Sequence, residues 1–63
     1  MNTIEAAFIS AKEAALEYAN RTLAEELECN EFQLPYRKSI NPQVYMRHQQ
    51  LIDEYLDNNF WNR

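Results

Sequence analysis

Cys29 and His48 are the chain's one cysteine and one histidine, and they are where a search for chemistry begins. A structural zinc site takes about four Cys or His ligands at short spacings, and one of each falls short of that. A Cys–His nucleophilic pair needs both side chains within hydrogen-bond reach inside a pocket, which a short helical chain has little room to build. His48 reads better as a hydrogen-bonded histidine on an apolar helix face, and Cys29 as a small apolar residue near a helix end. Glycine is absent, so there is no glycine-rich phosphate loop. The paired acids Glu25-Glu26 and Asp53-Glu54 read as solvated helix surface. The expectation is a protein that is not an enzyme and binds no metal or cofactor.

Three other clusters point to binding. Tyr36-Arg37-Lys38, with Arg47 further on, is a small basic group beside an aromatic ring. It supports a weak nucleic-acid-binding reading as the alternative, but such binding normally gathers several phosphate contacts. Glu25, Glu26, Glu28 and Glu31 form an acidic run where a helix should end, and negative charge is mildly unfavourable at a helix C-terminus. Phe60-Trp61 is an aromatic pair of the kind enriched at binding hot spots. Glu25, Glu26, Arg37, Lys38, Phe60 and Trp61 are therefore the candidate partner contacts. Whether the aromatic pair caps this chain's own core or engages a partner is open at this level.

With 63 residues the chain is a single domain. A domain this short buries only about 60% of its unfolded surface, and small chains usually add disulfides, a metal or a partner chain. A lone cysteine rules out an internal disulfide and suits a reducing compartment. The hydrophobic fraction of 46% and aromatic fraction of 13% are too high for a disordered tail. A formal net charge of -4 argues against a nucleic-acid-binding domain. The longest uncharged run is far short of the roughly 20 apolar residues that cross a bilayer. Glu5 precedes any Lys or Arg, so the start lacks a signal peptide's basic region. A cytoplasmic protein with no membrane association is expected.

The elements that position these residues are helices. From about residue 3 to 28 the chain carries seven alanines (6, 7, 11, 14, 15, 19 and 24) among Leu, Glu, Lys and Arg, the strongest helix formers. Asn2 with Glu5 reads as a capping pair, with Thr3 as an alternative cap. Ile4, Phe8, Ala11, Ala15 and Tyr18 line one stripe, and Ile9, Leu16, Ala19, Leu23 and Leu27 an adjacent one. Together they make an apolar arc of about half the circumference. The alanines are either good helix formers or a means of close helix approach. Leu34-Pro35 should hold Leu34 away from helical angles, so residues 29–41 are expected to be an ordered connection packed over the helix ends. Asn41-Pro42 predicts a helix start, asparagine as N-cap and proline at the first helical position. That helix should run over 42–58 with Val44, His48, Leu51, Ile52, Tyr55 and Leu56 on one face.

The fold class is all-α, a hairpin of a long and a shorter helix. A single hairpin leaves part of the long helix's arc wet, and contiguous apolar patches of that kind mark interfaces. Two hairpins related by a two-fold axis would close a dimeric four-helix bundle. The expected assembly is a homodimer, with its oligomer or partner interface at Ile9, Leu16, Leu23, Leu27, Val44, His48, Leu51 and Tyr55.

The opening Met1-Asn2-Thr3-Ile4-Glu5-Ala6-Ala7-Phe8, the middle Leu34-Pro35-Tyr36-Arg37-Lys38 and the close Asn58-Asn59-Phe60-Trp61-Asn62-Arg63 resemble a family of small early proteins of lambdoid bacteriophages, the 63-residue open reading frame product of the exo–xis region. The resemblance spans the chain and rests on overall similarity and size, with no motif that carries a mechanism. It implies early expression in the bacterial host cytoplasm and a part in lysis versus lysogeny, prophage induction or host cell-cycle effects. It implies no catalytic or binding residues. The function expected is that of a small phage regulatory protein acting by contact with an unidentified host or phage protein.

Overall fold

The computed structural model describes residues 3–61. Helix α1 spans Thr3–Leu27, α2 spans Leu34–Ile40 and α3 spans Pro42–Leu56. A 3-10 turn over Glu31–Gln33 precedes α2, and a widened π turn over Asp57–Trp61 continues α3. The long α1 packs against α3, and α2 lies against α3 near the far end of α1. The all-α class and the pairing of a long with a shorter helix are as expected from the sequence. The connection is more regular than expected, because most of it is helix.

The α1–α3 seam is built on small residues. Ala15 and Ala19 are fully buried, one turn apart on one face of α1. Ala6 and Ala7 are exposed. The alanine content thus serves two ends: at 15 and 19 it lets α3 approach closely, and at 6 and 7 it only favours helix. Leu23, Leu34 and Leu51 are the largest fully buried side chains, joined by Ala24, Val44, Ile52 and Leu56. Tyr18 and Tyr55 close one side of the seam, ring centroids 5.5 Å apart.

Helix α1 ends without glycine. Glu28 takes the left-handed conformation, φ 54°. Its N–H donates to Glu25 O at 3.2 Å and the N–H of Cys29 donates to Ala24 O at 2.9 Å. This pair of bonds is the Schellman motif, which satisfies two carbonyls orphaned by the helix end. Cys29 packs against the core just beyond it.

The expectation that Pro35 holds Leu34 out of helical angles is corrected. Leu34 sits at φ -61°, ψ -43° and opens α2. Proline in the first turn loses only an N–H that has no helical partner, and Leu34, 1% exposed, gains full burial by entering there. That burial outweighs the crowding that disfavours helical angles before proline. Asn41 ends α2 and caps α3 as its sequence context predicts. Its backbone N–H donates to Arg37 O at 3.0 Å, and its side-chain oxygen accepts from Gln43 N at 3.0 Å. The capping pair expected at Asn2 lies outside the described residues, and Thr3 is the first helical residue.

The α3 helix ends two residues earlier than expected. Asn59 donates its side-chain amide to Tyr55 O at 2.9 Å, a local side-chain bond of the kind that competes with the helical ladder. The π turn that follows brings Phe60 and Trp61 back over the start of α1.

Candidate functional site

Phe8 meets two aromatic partners. The Phe60 ring stands edge-on to it at 5.6 Å and the Trp61 ring lies tilted at 5.9 Å, while Phe60 and Trp61 contact each other at 4.6 Å. Edge-to-face pairs of this kind add about 0.5–1.5 kcal/mol beyond their area. The pair divides between the two sequence readings: Phe60 caps this chain's own core, and Trp61 is left accessible. Phe60 is half-buried and packs on the core, while Trp61 stays 64% exposed. With Ile4, Glu5, Phe8 and Ile9 they line an open cleft of about 350 Å³ whose walls are almost wholly apolar. Ile4 is 71% and Ile9 51% exposed.

Trp61 also borders a second groove, which runs along the solvent side of α3. Asp53, Glu54 and Asp57 line it, together with Arg47 and Gln50. All three acids are exposed. Arg47 offsets part of that charge through its attraction to Glu54, while its guanidinium hydrogen-bonds to Glu26. Nε donates to Oε1 at 3.0 Å and Nη2 to Oε2 at 2.7 Å, a bidentate pair that ties α3 to α1. The hydrogen bond from Arg47 is the main cause that holds the Glu26 carboxyl below its ordinary value, and the Arg47 value is raised in return. Arg47 is therefore spent within the fold, which leaves Arg37 and Lys38 as the basic group on α2. Glu25, another candidate contact, is exposed beside Glu28 and Glu31 around an open groove at the end of α1.

Of the eight residues expected at an interface, Leu23, Val44, His48 and Leu51 are buried in the chain's own core. Leu27 and Tyr55 are half-buried against it. Ile9 and Leu16 remain exposed, Leu16 at 37%. The face of α3 expected to meet a partner meets α1 instead.

His48 is a core histidine. It is 5% exposed, and its Nε2 lies 2.7 Å from Asn20 Oδ1. An amide oxygen only accepts, so Nε2 carries the proton. Burial, and then the positive charge of Lys38, push the His48 value below that of a free imidazole. Asn20 is half-buried on α1, and a helical wheel does not show which polar residue a neighbour will reach. Among the described residues, no three of His, Cys, Asp and Glu gather to hold a metal ion. No described helix is long and apolar enough to cross a membrane.

A feature the sequence reading missed lies on α2 and the 3-10 turn before it. Phe32 is 91% exposed, Tyr36 68% and Ile40 62%. Tyr36 and Ile40 stand one turn apart on the face of α2 away from the buried Leu34, and Phe32 precedes them on the 3-10 turn. The spacing itself was visible. What hid it was the reading of the segment as an ordered connection packed over the helix ends, which gave its apolar residues a place in the core and no helical face.

No family model, curated protein or solved structure matches this chain.

Proposed function

We propose that this chain is a small, non-enzymatic regulatory protein that acts by holding other protein chains, including a second copy of itself. The observation that carries the reading is the apolar cleft at Ile4, Phe8, Ile9, Phe60 and Trp61. The fold closes its own core and still leaves an aromatic cleft and a largely exposed tryptophan at one end. Trp is among the residues on which binding energy concentrates. In the setting implied by the resemblance to the lambdoid phage early proteins, the partner is a host or phage protein in the bacterial cytoplasm. The effect would fall on phage development or host machinery.

Homodimerisation is part of this proposal. A four-helix bundle would have to pair the hairpins through the flank of α1 that carries Ile9 and Leu16, since the rest of the expected interface is used internally. The nucleic-acid alternative is weaker, because Arg47 pairs with Glu26 and leaves only Arg37 and Lys38 of the basic group.

The proposal is tested by affinity capture from host lysate at physiological salt, using the chain and its Trp61→Glu variant as baits. A specific protein retained by the first and lost by the second supports it. Capture of nothing specific, or of the same proteins by both, contradicts it.

A further inference from the structure

Two surfaces of different character share one wall. The apolar cleft lies between the start of α1 and the π turn, with Glu5 among its lining residues, and the acidic groove of Asp53, Glu54 and Asp57 runs along α3. Trp61 borders both and is largely exposed. The fold gains nothing from the three acids of the groove. Asp57 lies four residues from Asp53 and three from Glu54, and like charges at those spacings repel along a helix. Asp53 and Glu54 lie in the last turn of α3, which carries no basic residue, and Asp57 is its C-cap. Negative charge is disfavoured there by the helix dipole. Gln49 donates to Asp53 Oδ1 at 3.3 Å but brings no charge. Arg47 attracts Glu54, yet its hydrogen bonds go to a further carboxylate, Glu26. Lys12, one turn on from Phe8, lines neither surface. Among the described residues, the cleft and groove together set Glu5, Asp53, Glu54 and Asp57 against Arg47 alone.

We infer that the occupant of the cleft is a cationic amphipathic segment of another protein, with apolar side chains in the cleft and a Lys or Arg at Trp61 and the carboxylates beyond it. This rests on the protein-holding reading above and names the chemistry of the partner. The almost wholly apolar walls of the cleft select an apolar side chain. A tryptophan ring attracts a cation over its face, and here the carboxylates stand on the far side of that ring from the cleft. Complementary charge of this kind steers a partner in and suppresses wrong ones. It turns away nucleic acid and anionic lipid, both of which would bring negative charge to the acids. A second copy of this chain is the competing occupant, and each copy brings a formal net charge of -4.

The test is selection from a displayed library of short peptides, each position drawn at random from Leu, Phe, Ser, Gln, Lys and Glu. Clones are kept when the full chain retains them and its Trp61→Ser variant does not. They are expected to combine Leu or Phe with Lys and to lack Glu. Trp61 is the only tryptophan of the chain, and the library has none, so its emission reports on the cleft directly. A selected peptide, synthesised free, should shift that emission to the blue and bind less tightly as salt rises. Its affinity should fall at least about tenfold when Asp53→Asn, Glu54→Gln and Asp57→Asn are combined. The three acids are exposed, so their neutralisation leaves the core untouched. The ratio of Lys to Glu, read on the unaltered chain, keeps the test decisive if that variant is unstable. Selected clones with no excess of Lys over Glu overturn this inference and leave the protein-holding reading intact. So does a Trp61 emission that shifts with the chain's own concentration in the absence of peptide, because a second copy then fills the cleft. A library in which no clone distinguishes the chain from Trp61→Ser overturns both.

Discussion

At the scale of single residues, the structure turns on a few side chains whose role is local and physical. Glu28 holds a left-handed angle that costs a residue with a Cβ roughly 1–2 kcal/mol and costs glycine little. Glu28→Gly should therefore stabilise the fold by about 1 kcal/mol, measured by urea unfolding. Unchanged or lowered stability would mean that the Schellman turn is not the resting geometry. His48 carries a pH prediction. Its folded-state value lies below its unfolded value, so between the two the unfolded chain binds more protons. Stability is fully present above the free imidazole range, near 6.5, and should fall as pH drops through that range towards the lower folded value. His48→Gln should flatten that part of the profile, whatever it does to stability at neutral pH. His48 was legible in the sequence as a hydrogen-bonded histidine on an apolar face. Asn20, its partner, was not, because only the packing of α3 identifies it.

The helices show which sequence signals survive packing. The α3 start at Asn41-Pro42 and its buried face were readable because capping chemistry and 3.6-residue periodicity are local. Asn41→Ala should cost about 1 kcal/mol by loss of the cap to Gln43, with thermal melting as the measure. The α2 helix was missed because a local rule about the residue before proline was taken as decisive, when the burial of Leu34 decides. The α1–α3 seam makes a prediction of its own. Ala19→Leu should destabilise by about 1–3 kcal/mol through overpacking, while Ala7→Leu on the exposed face should be near neutral. Equal effects at the two positions would mean that the alanines are there for helix propensity alone. The Glu26–Arg47 bridge joins α1 and α3 at the surface, so a double-mutant cycle on the pair should give a small coupling that salt reduces.

For the molecule as a whole, the apolar arc of α1 proved wide because it packs against α3 and the returning π turn. It was read as evidence for a partner because only one neighbour could be foreseen, and the aromatic turn supplied part of the cover. What remains exposed lies at the ends, in the cleft and on α2, with Leu16 on the flank. A chain of this size gains much from covering such surfaces, since a lone core of 63 residues is marginal. Melting temperature should therefore rise with protein concentration, as it does when folding and association are linked. The most direct test of self-association is the solution mass of the unaltered chain, by sedimentation equilibrium over a wide range of concentrations at physiological salt. The account predicts a mass of two chains that gives way to one only on strong dilution. A single 7.6 kDa species at every concentration would contradict it.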